Sequence, residues 1–468
     1  MPESADDSIQ HDLAIAGGGA GGTLLAIQLL RQAVSPLRIA LIEPAAQVGD
    51  GVAYATRHPG HVLNVPARGM SAFASQPDDF VDFLAGPGGD RDALAATYVE
   101  RRRYGEYLRM RLQQARQSSP ARLQVVQARA VSIAATPAGW RMTLADGTTV
   151  QARAVALAVG NAPRPFPASG ASSLPAGRCI AAWDTPSLAK IDPDADVCIA
   201  GAGLSMVDAV LALVANSHRG RIRVLSRHAL APLPHAACAP ATFDPSALLA
   251  MTLQQRWRAL RGHVRDAAQR GEPWQSVFER LRPHGQALWR SLSATDQRRF
   301  LRHAVRYWDV PRHRIAPQVH AQLSQLRERG QLQLQRGRIN AVAMAGNRVR
   351  VSTRSAGRIV EFDADVLLNA TGVEMQVAAM GNPLLDDLLG HDHAVAGPHG
   401  IGIATDDTGR VLAAGGRAYD DLFALGSLRI GTLWESLAIP ELRGQAGDVA
   451  ASMLQALTLR QAGTLPAT

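Results

Sequence analysis

The chain has 468 residues, enough for two or three domains around large buried cores. Its 47% hydrophobic and 19% charged content is that of an ordinary globular protein, and its three cysteines lack the spacing of a disulfide framework or a zinc site. The formal charge of +9 is local: residues 251–330 hold 16 Arg against 6 Asp and Glu, so the rest of the chain is close to neutral.

The opening, "MPESADDSIQHD", is acidic and polar, unlike a basic export leader. With no long apolar run free of glycine, the sequence predicts a soluble cytoplasmic protein without a membrane span. "HDLAIAGGGAGG" then places Gly17, Gly19 and Gly22 in GxGxxG spacing between an apolar strand and a helix. Such a turn brings backbone N–H groups to a dinucleotide pyrophosphate. The next strand, "LRIALIE", ends in Glu43, placed to accept ribose hydroxyls.

"CIAGAGLSMVD" makes the same move again, with Gly201 and Gly203 in place and Met206 where the third glycine would stand. The following strand, "RIRVLSRH", ends in Ser226 and Arg227 with no acid, which favours NADPH slightly over NADH. Residues 123–161 and 332–372 share one plan: alternating strands, turn residues, and an apolar strand ending in AVG or ATG. The expected fold class is α/β, with two Rossmann-like dinucleotide-binding domains, each followed by a β-meander.

Residues 229–241 read as a Pro- and Ala-rich linker. A helical insertion rich in Arg and Trp is expected over 242–325 within the second domain, with Leu253, Trp257 and Leu260, then Trp274, Phe278 and Leu281, at helical steps. It reads either as a helical subdomain with solvated arginines or as a lid. "WDVPRHRIAP" is expected to break the helix and project Arg312, His313 and Arg314. No nucleic-acid recognition motif accompanies the basic patch.

These segments resemble a bacterial FAD/NAD(P)-binding flavoprotein group with two dinucleotide-binding domains, one that includes a urate hydroxylase type. The resemblance runs from about residue 12 to 450. It is carried by "LIEPAAQVGDGVAYAT", "HPGHVLNVPARGMSAF", "YGEYL", "GAGLSMVD", "SRHALAPLPH", "WDVPRHRIAP" and "LWESLAIPELRGQA". It implies an FAD-binding domain over 1–165 and 374–468 and an NAD(P)H-binding domain over 166–373. FAD is then implied on Gly17, Gly19, Gly22 and Glu43, with Asn64 and Met70 near the flavin ring and Gly426 against its ribityl chain. It also implies NADPH or NADH on Gly201, Gly203, Ser205 and Arg227. Gly426 is followed by Ser427 where many relatives carry Asp, so that carboxylate contact is missing.

The activity so implied is a flavin-dependent NAD(P)H monooxygenase using O2. Urate is its leading substrate, hydroxylated to 5-hydroxyisourate through a flavin C4a-hydroperoxide. The alternatives are an N-hydroxylase acting on an amine, a flavin reductase or oxidase that hydroxylates nothing, and a redox sensor. An anionic substrate would suit Arg312 and Arg314. His313 is the candidate for proton transfer, and Arg429 for substrate or reduced-flavin charge. No metal is expected.

Overall fold

Parallel pairing organises both halves of the chain. The structure, a computed structural model, describes residues 10–461, so the acidic opening over 1–9 lies outside the described residues. Its backbone forms two compact units: Met1–Ala55, Pro66–Ala162 and Glu374–Thr468 make the first, and Thr56–Val65 and Pro163–Val373 the second.

In the first unit the strands lie in the order Arg410–Leu412, Ala418–Ala424, Thr149–Leu157, His11–Ala16, Arg38–Ile42 and Arg122–Val126. The last five are parallel, and Arg410–Leu412 pairs antiparallel at the edge. Central parallel strands are buried on both faces, which is why "LAIA" and "IALI" are apolar without alternation. One face of the sheet, including Ala14, Ala16, Ala40 and Ile42, packs against Trp140, Met142 and Leu144 of the meander, with Leu384, Leu385 and Leu388 from helix Pro383–Gly390. Helix Ala20–Gln32 packs between helices Arg101–Ser118 and Ile439–Gln461. The meander Ala130–Thr136, Gly139–Leu144 and Thr149–Leu157 follows the pattern read from the sequence repeat.

The second unit repeats this plan. Leu332–Arg336, Ile222–Ser226, Val197–Ala200, Val366–Asn369 and Cys179–Ala181 form an all-parallel sheet. The antiparallel strands Arg338–Ala345, Arg348–Ser355 and Arg358–Ala364 form its meander. The mixed α/β class with two Rossmann-like halves is therefore the observed fold. No helix among the described residues is long and apolar enough to cross a membrane.

The insertion is helical, from Leu253–Gln269 through Val305–Arg312. Thr252 and Gln255 cap its first helix reciprocally. Trp289 and Trp308 are buried, with Phe300 6.0 Å from Trp289 and 6.4 Å from Trp308, so these tryptophans form core. Not every arginine here is a solvated surface residue. Arg256 is 6% exposed and donates to the carbonyls of Met251, Leu288 and Leu249 and to Ser291 Oγ.

Three expectations change. The expected break does fall within this stretch, between helix Val305–Arg312 and helix Pro317–Glu328, but Pro311 lies inside the first helix and Pro317 opens the second at its first position, where a missing N–H costs nothing. Arg312 and Arg314 do not project, being 9% and 3% exposed. The 229–241 stretch is more than a linker, because His235 N–H donates to the Ile315 carbonyl and Ile315 N–H to that of Leu233.

Replacing Arg256 with Met should strip the Met251, Leu249 and Leu288 carbonyls of its guanidinium, leaving Leu288 with the Ser291 Oγ donor. Urea unfolding followed by tryptophan fluorescence should show a loss of about 3 kcal/mol.

Candidate functional site

The strand order of each unit brings its chemistry to the carboxyl ends of parallel strands, where α/β sheets bind ligands. In the first unit Gly17 (φ +109°) leaves His11–Ala16, and a Cβ there would lie 2.3 Å from the Ala158 carbonyl oxygen. A Cβ on Gly22 would lie 1.8 Å from the Gly17 oxygen. Gly19 opens the helix with no side-chain cap, leaving the first-turn N–H groups aimed outward. Glu43 accepts from Gly18 N–H at 2.7 Å and from Ala45 N–H at 2.9 Å, one bond on each carboxylate oxygen, and each oxygen keeps acceptor capacity.

Gly426 (φ +73°) follows the closing strand, and its N–H donates to Gln445 Oε1 at 2.9 Å. Ser427 Oγ donates to the Gly160 carbonyl at 2.7 Å. The structure thus brings Gly17, Gly19, Gly22, Glu43 and Gly426 to one edge of one sheet. Met70 is buried in this unit. Sequence reasoning missed the clamp over the turn: Gly49 N–H donates to the Gly18 carbonyl at 2.8 Å, and Asp50 pairs with Arg109. The signal was the "GDG" run beside "YGEYLRMR".

Asn64 belongs to the second unit. His61 Nε2 donates to the Asp208 carbonyl at 2.9 Å and His235 Nε2 to the Asn64 carbonyl at 2.8 Å, tying Thr56–Val65 to that unit. The domain span 1–165 had expected this stretch with the first glycine turn.

The second turn copies the first. Gly201 (φ +102°) would place a Cβ 2.3 Å from the Ala370 oxygen, the same approach as Gly17 to Ala158. Gly203 caps helix Leu204–Ala215, Ser205 lies in its first turn, and Met206 is buried in place of the third glycine. Arg227 is exposed at the end of Ile222–Ser226. Beside it His228 is held below its ordinary pKa by burial and then by Arg227, Arg336 and Arg306. Arg336 and Arg306 come from distant sequence and were not anticipated.

Of the remaining expected residues, Arg429 is 1% exposed and occupied elsewhere. Its Nε donates to Thr405 Oγ1 at 3.2 Å and its Nη2 to the Asp406 and Asp407 carbonyls at 3.0 and 2.9 Å. It anchors the 405–407 loop, a correction to the chemical role expected for it. His313 is 44% exposed at its side chain and 3.8 Å from Asp309. Arg314 pairs with Glu279 and lies 6.0 Å from the Trp274 ring, while its Nε and Nη1 have no hydrogen-bond partner. Gln275 Oε1 is likewise unpartnered, on helix Gln275–Leu281, one turn from Glu279. His235 stands against this group, its pKa lowered to about 4 by burial and then by Arg314.

All three thiols are raised by burial, Cys198 to about 12, opposite to a reactive thiolate. Cys179 and Cys198 sit in register on either side of Leu367, two strand spacings or about 9–10 Å apart, beyond disulfide reach. No group of three His, Cys, Asp or Glu among the described residues could hold a metal.

Residues 14–162 match a family model described as FAD-NAD(P)-binding. No curated protein matches the chain. Among solved structures, L-lysine 6-monooxygenase from Pseudomonas syringae shares 18% identity at TM-score 0.62, covering 96% of this chain and 100% of that one. The ornithine N-hydroxylase of Kutzneria sp. 744, described with reduced FAD, NADP+ and L-ornithine, shares 16% at TM-score 0.60, covering 95% and 99%. The bacillithiol disulfide reductase of Staphylococcus aureus shares 13% at TM-score 0.57, covering 96% and 99%. These likenesses establish the fold along nearly the whole chain. None of them involves urate.

Because the folded pKa of His235 lies below the ordinary 6.5, the stability it confers is complete above about pH 6.5 and is lost as pH falls toward about 4. His235→Asn should flatten that part of the pH dependence of unfolding free energy.

Proposed function

We propose that the chain is an FAD-dependent, NADPH-consuming monooxygenase that hydroxylates a small amine at nitrogen. The observation that carries this reading is the duplicated glycine turn, each copy closing on an alanine carbonyl at 2.3 Å and each at the carboxyl edge of its own parallel sheet. The first turn suits FAD: the cradle is one a Cβ would fill, and Glu43 offers oxygens to a ribose. The family match over residues 14–162 supports the same cofactor. The second turn, with Arg227, His228 and Arg336 at the strand end, suits the extra phosphate of NADPH.

FAD, when bound, would accept hydride from NADPH and activate O2 for transfer of one oxygen atom. The chain's part is to bind, orient and exclude water. Gly17, Gly19 and Gly22 let the backbone reach the FAD diphosphate; Gly201, Gly203 and Ser205 do so for NADPH. Arg314 is assigned to the anionic end of the substrate. Its Nε and Nη1 are unspent, while Glu279 holds its remaining edge. A carboxylate there would gain charge-assisted hydrogen bonds in a buried setting. Arg312, buried two residues earlier, adds positive charge. His313, at the end of helix Val305–Arg312, is the histidine assigned to proton exchange.

N-hydroxylation is preferred to urate hydroxylation because lysine and ornithine hydroxylases share this fold over nearly their full length. Disulfide reduction, suggested by the bacillithiol reductase likeness, is disfavoured by Cys179 and Cys198 standing two strands apart and by thiols that burial keeps protonated.

The test is NADPH oxidation by the purified flavoprotein with L-lysine, L-ornithine, simple diamines and urate. One amine should accelerate NADPH loss at least tenfold and emerge carrying one added oxygen atom. Unchanged NADPH oxidation with every amine, and peroxide equal to NADPH consumed, would overturn the proposal. Arg227→Ala should lower kcat/KM for NADPH roughly 10- to 100-fold and leave that for NADH nearly unchanged.

A further inference from the structure

Helix Val305–Arg312 of the insertion follows a π-helical turn, Phe300–Ala304, a feature that often marks functional positions. Trp308 turns inward, with Phe278 5.6 Å and Phe300 6.4 Å away. Two residues earlier on the helix is about 200° around it, so Arg306 points away from the insertion's core. Its Nη2 donates to the Ala202 carbonyl at 2.7 Å and the Leu230 carbonyl at 2.8 Å. Ala202 is the middle residue of the second glycine turn. Beside it, a Cβ on Gly203 would meet Arg306 Nη1 at 3.9 Å and no other neighbour within 4 Å.

This placement sets two positive features together. The helix beginning at Leu204 has its first N–H bond from Met206 to Gly203, so the N–H groups of Leu204 and Ser205 lack intrahelical partners. The helix dipole adds partial positive charge at that end. Arg306 stands against it half-buried, and desolvation pulls its pKa below the ordinary arginine value. Both its hydrogen bonds go to neutral carbonyls. Arg227 repels it, and the acid that acts on it, Asp309, lies one turn away on its own helix. An anion placed between this half-buried cation and the positive helix end would be attracted by both.

We propose that Arg306 binds the diphosphate of the nicotinamide nucleotide, so that the helical insertion supplies a ligand contact the glycine turn lacks. The proposal rests on the reading of the second turn as a nucleotide site. It assigns the diphosphate to Arg306 and the ribose phosphate to Arg227. The insertion is thereby coupled to occupancy: nucleotide binding adds a tie between Val305–Arg312 and the glycine turn.

The two phosphates can be probed separately on the oxidised holoenzyme by calorimetry, without turnover. ADP-ribose carries the diphosphate without the 2′-phosphate, and 2′-AMP carries the 2′-phosphate alone. Arg306→Ala should weaken ADP-ribose and NADP+ by roughly 10- to 100-fold and leave 2′-AMP unchanged. Arg306→Lys should restore part of the loss, because it keeps the charge. Arg227→Ala should give the reverse pattern, weakening 2′-AMP and NADP+ and sparing ADP-ribose. Hydrogen exchange over 300–312 should slow on adding ADP-ribose to the wild type and not to Arg306→Ala. Wild-type affinity of Arg306→Ala for ADP-ribose would overturn the inference, as would an equal loss toward 2′-AMP, which indicates general damage to the unit. Flavin content and melting temperature identify misfolding, in which case Arg306→Lys and Arg306→Gln carry the comparison. A wild-type protein that binds neither ADP-ribose nor NADP+ would instead overturn the nucleotide reading itself, and this inference with it.

Discussion

Both units depend on one close approach: the first glycine of a turn against the carbonyl of the alanine that ends a returning strand. Gly17 meets Ala158, and Gly201 meets Ala370, each at a distance no side chain would allow. The approach requires a left-handed backbone, which glycine adopts without the penalty a Cβ imposes. It fixes where each helix starts, and so where its unpaired N–H groups point. The returning strand is in turn delivered by the meander, so the repeat in sequence is a repeat of the machinery that closes the turn. The third contact is not shared, however. Gly22 is needed because its helix presses on Gly17, whereas the second unit buries Met206 at that place.

Arginine does three kinds of work in this chain, which has a single lysine. Arg256 and Arg429 are structural, their guanidinium nitrogens taken up by backbone carbonyl oxygens. Arg227 is exposed at a strand end, available to a ligand. Arg314 lies between these, buried with Nε and Nη1 unpartnered, a costly state that a ligand would relieve. Arg306 is half-buried, with its Nη2 on the Ala202 and Leu230 carbonyls. Planarity suits the residue to all three, since a guanidinium can span two acceptors at once while its charge stays fixed.

Under the proposed function, two nucleotide units without a cysteine relay would leave the chemistry to the cofactors themselves. The thiols are placed and protonated in a way that opposes disulfide exchange. What that reading leaves to the protein is geometric and electrostatic: turns open to diphosphates and cations placed for phosphates or a carboxylate.

The sequence by itself determined the α/β class, the tandem glycine turns, the meanders and the strand-end residues Glu43 and Arg227, because these arise from local patterns: apolar runs, glycine spacing and turn residues within about thirty positions. It misplaced features that depend on distant partners. Pro311 and the arginines after it looked like a projecting loop, yet Glu279 and Trp274, more than thirty residues back, draw Arg314 inside. Asn64 looked like part of the first nucleotide unit until His235 and Asp208 claimed its segment. Arg429 stood beside the closing strand in sequence, but the carbonyls of residues 406 and 407 decide its role. Arg306 is one of many arginines in a basic stretch, and only the packing of Trp308 turns it toward Ala202. Periodicity records which face of an element is apolar; which partner meets a buried polar group is settled only when the chain has closed on itself.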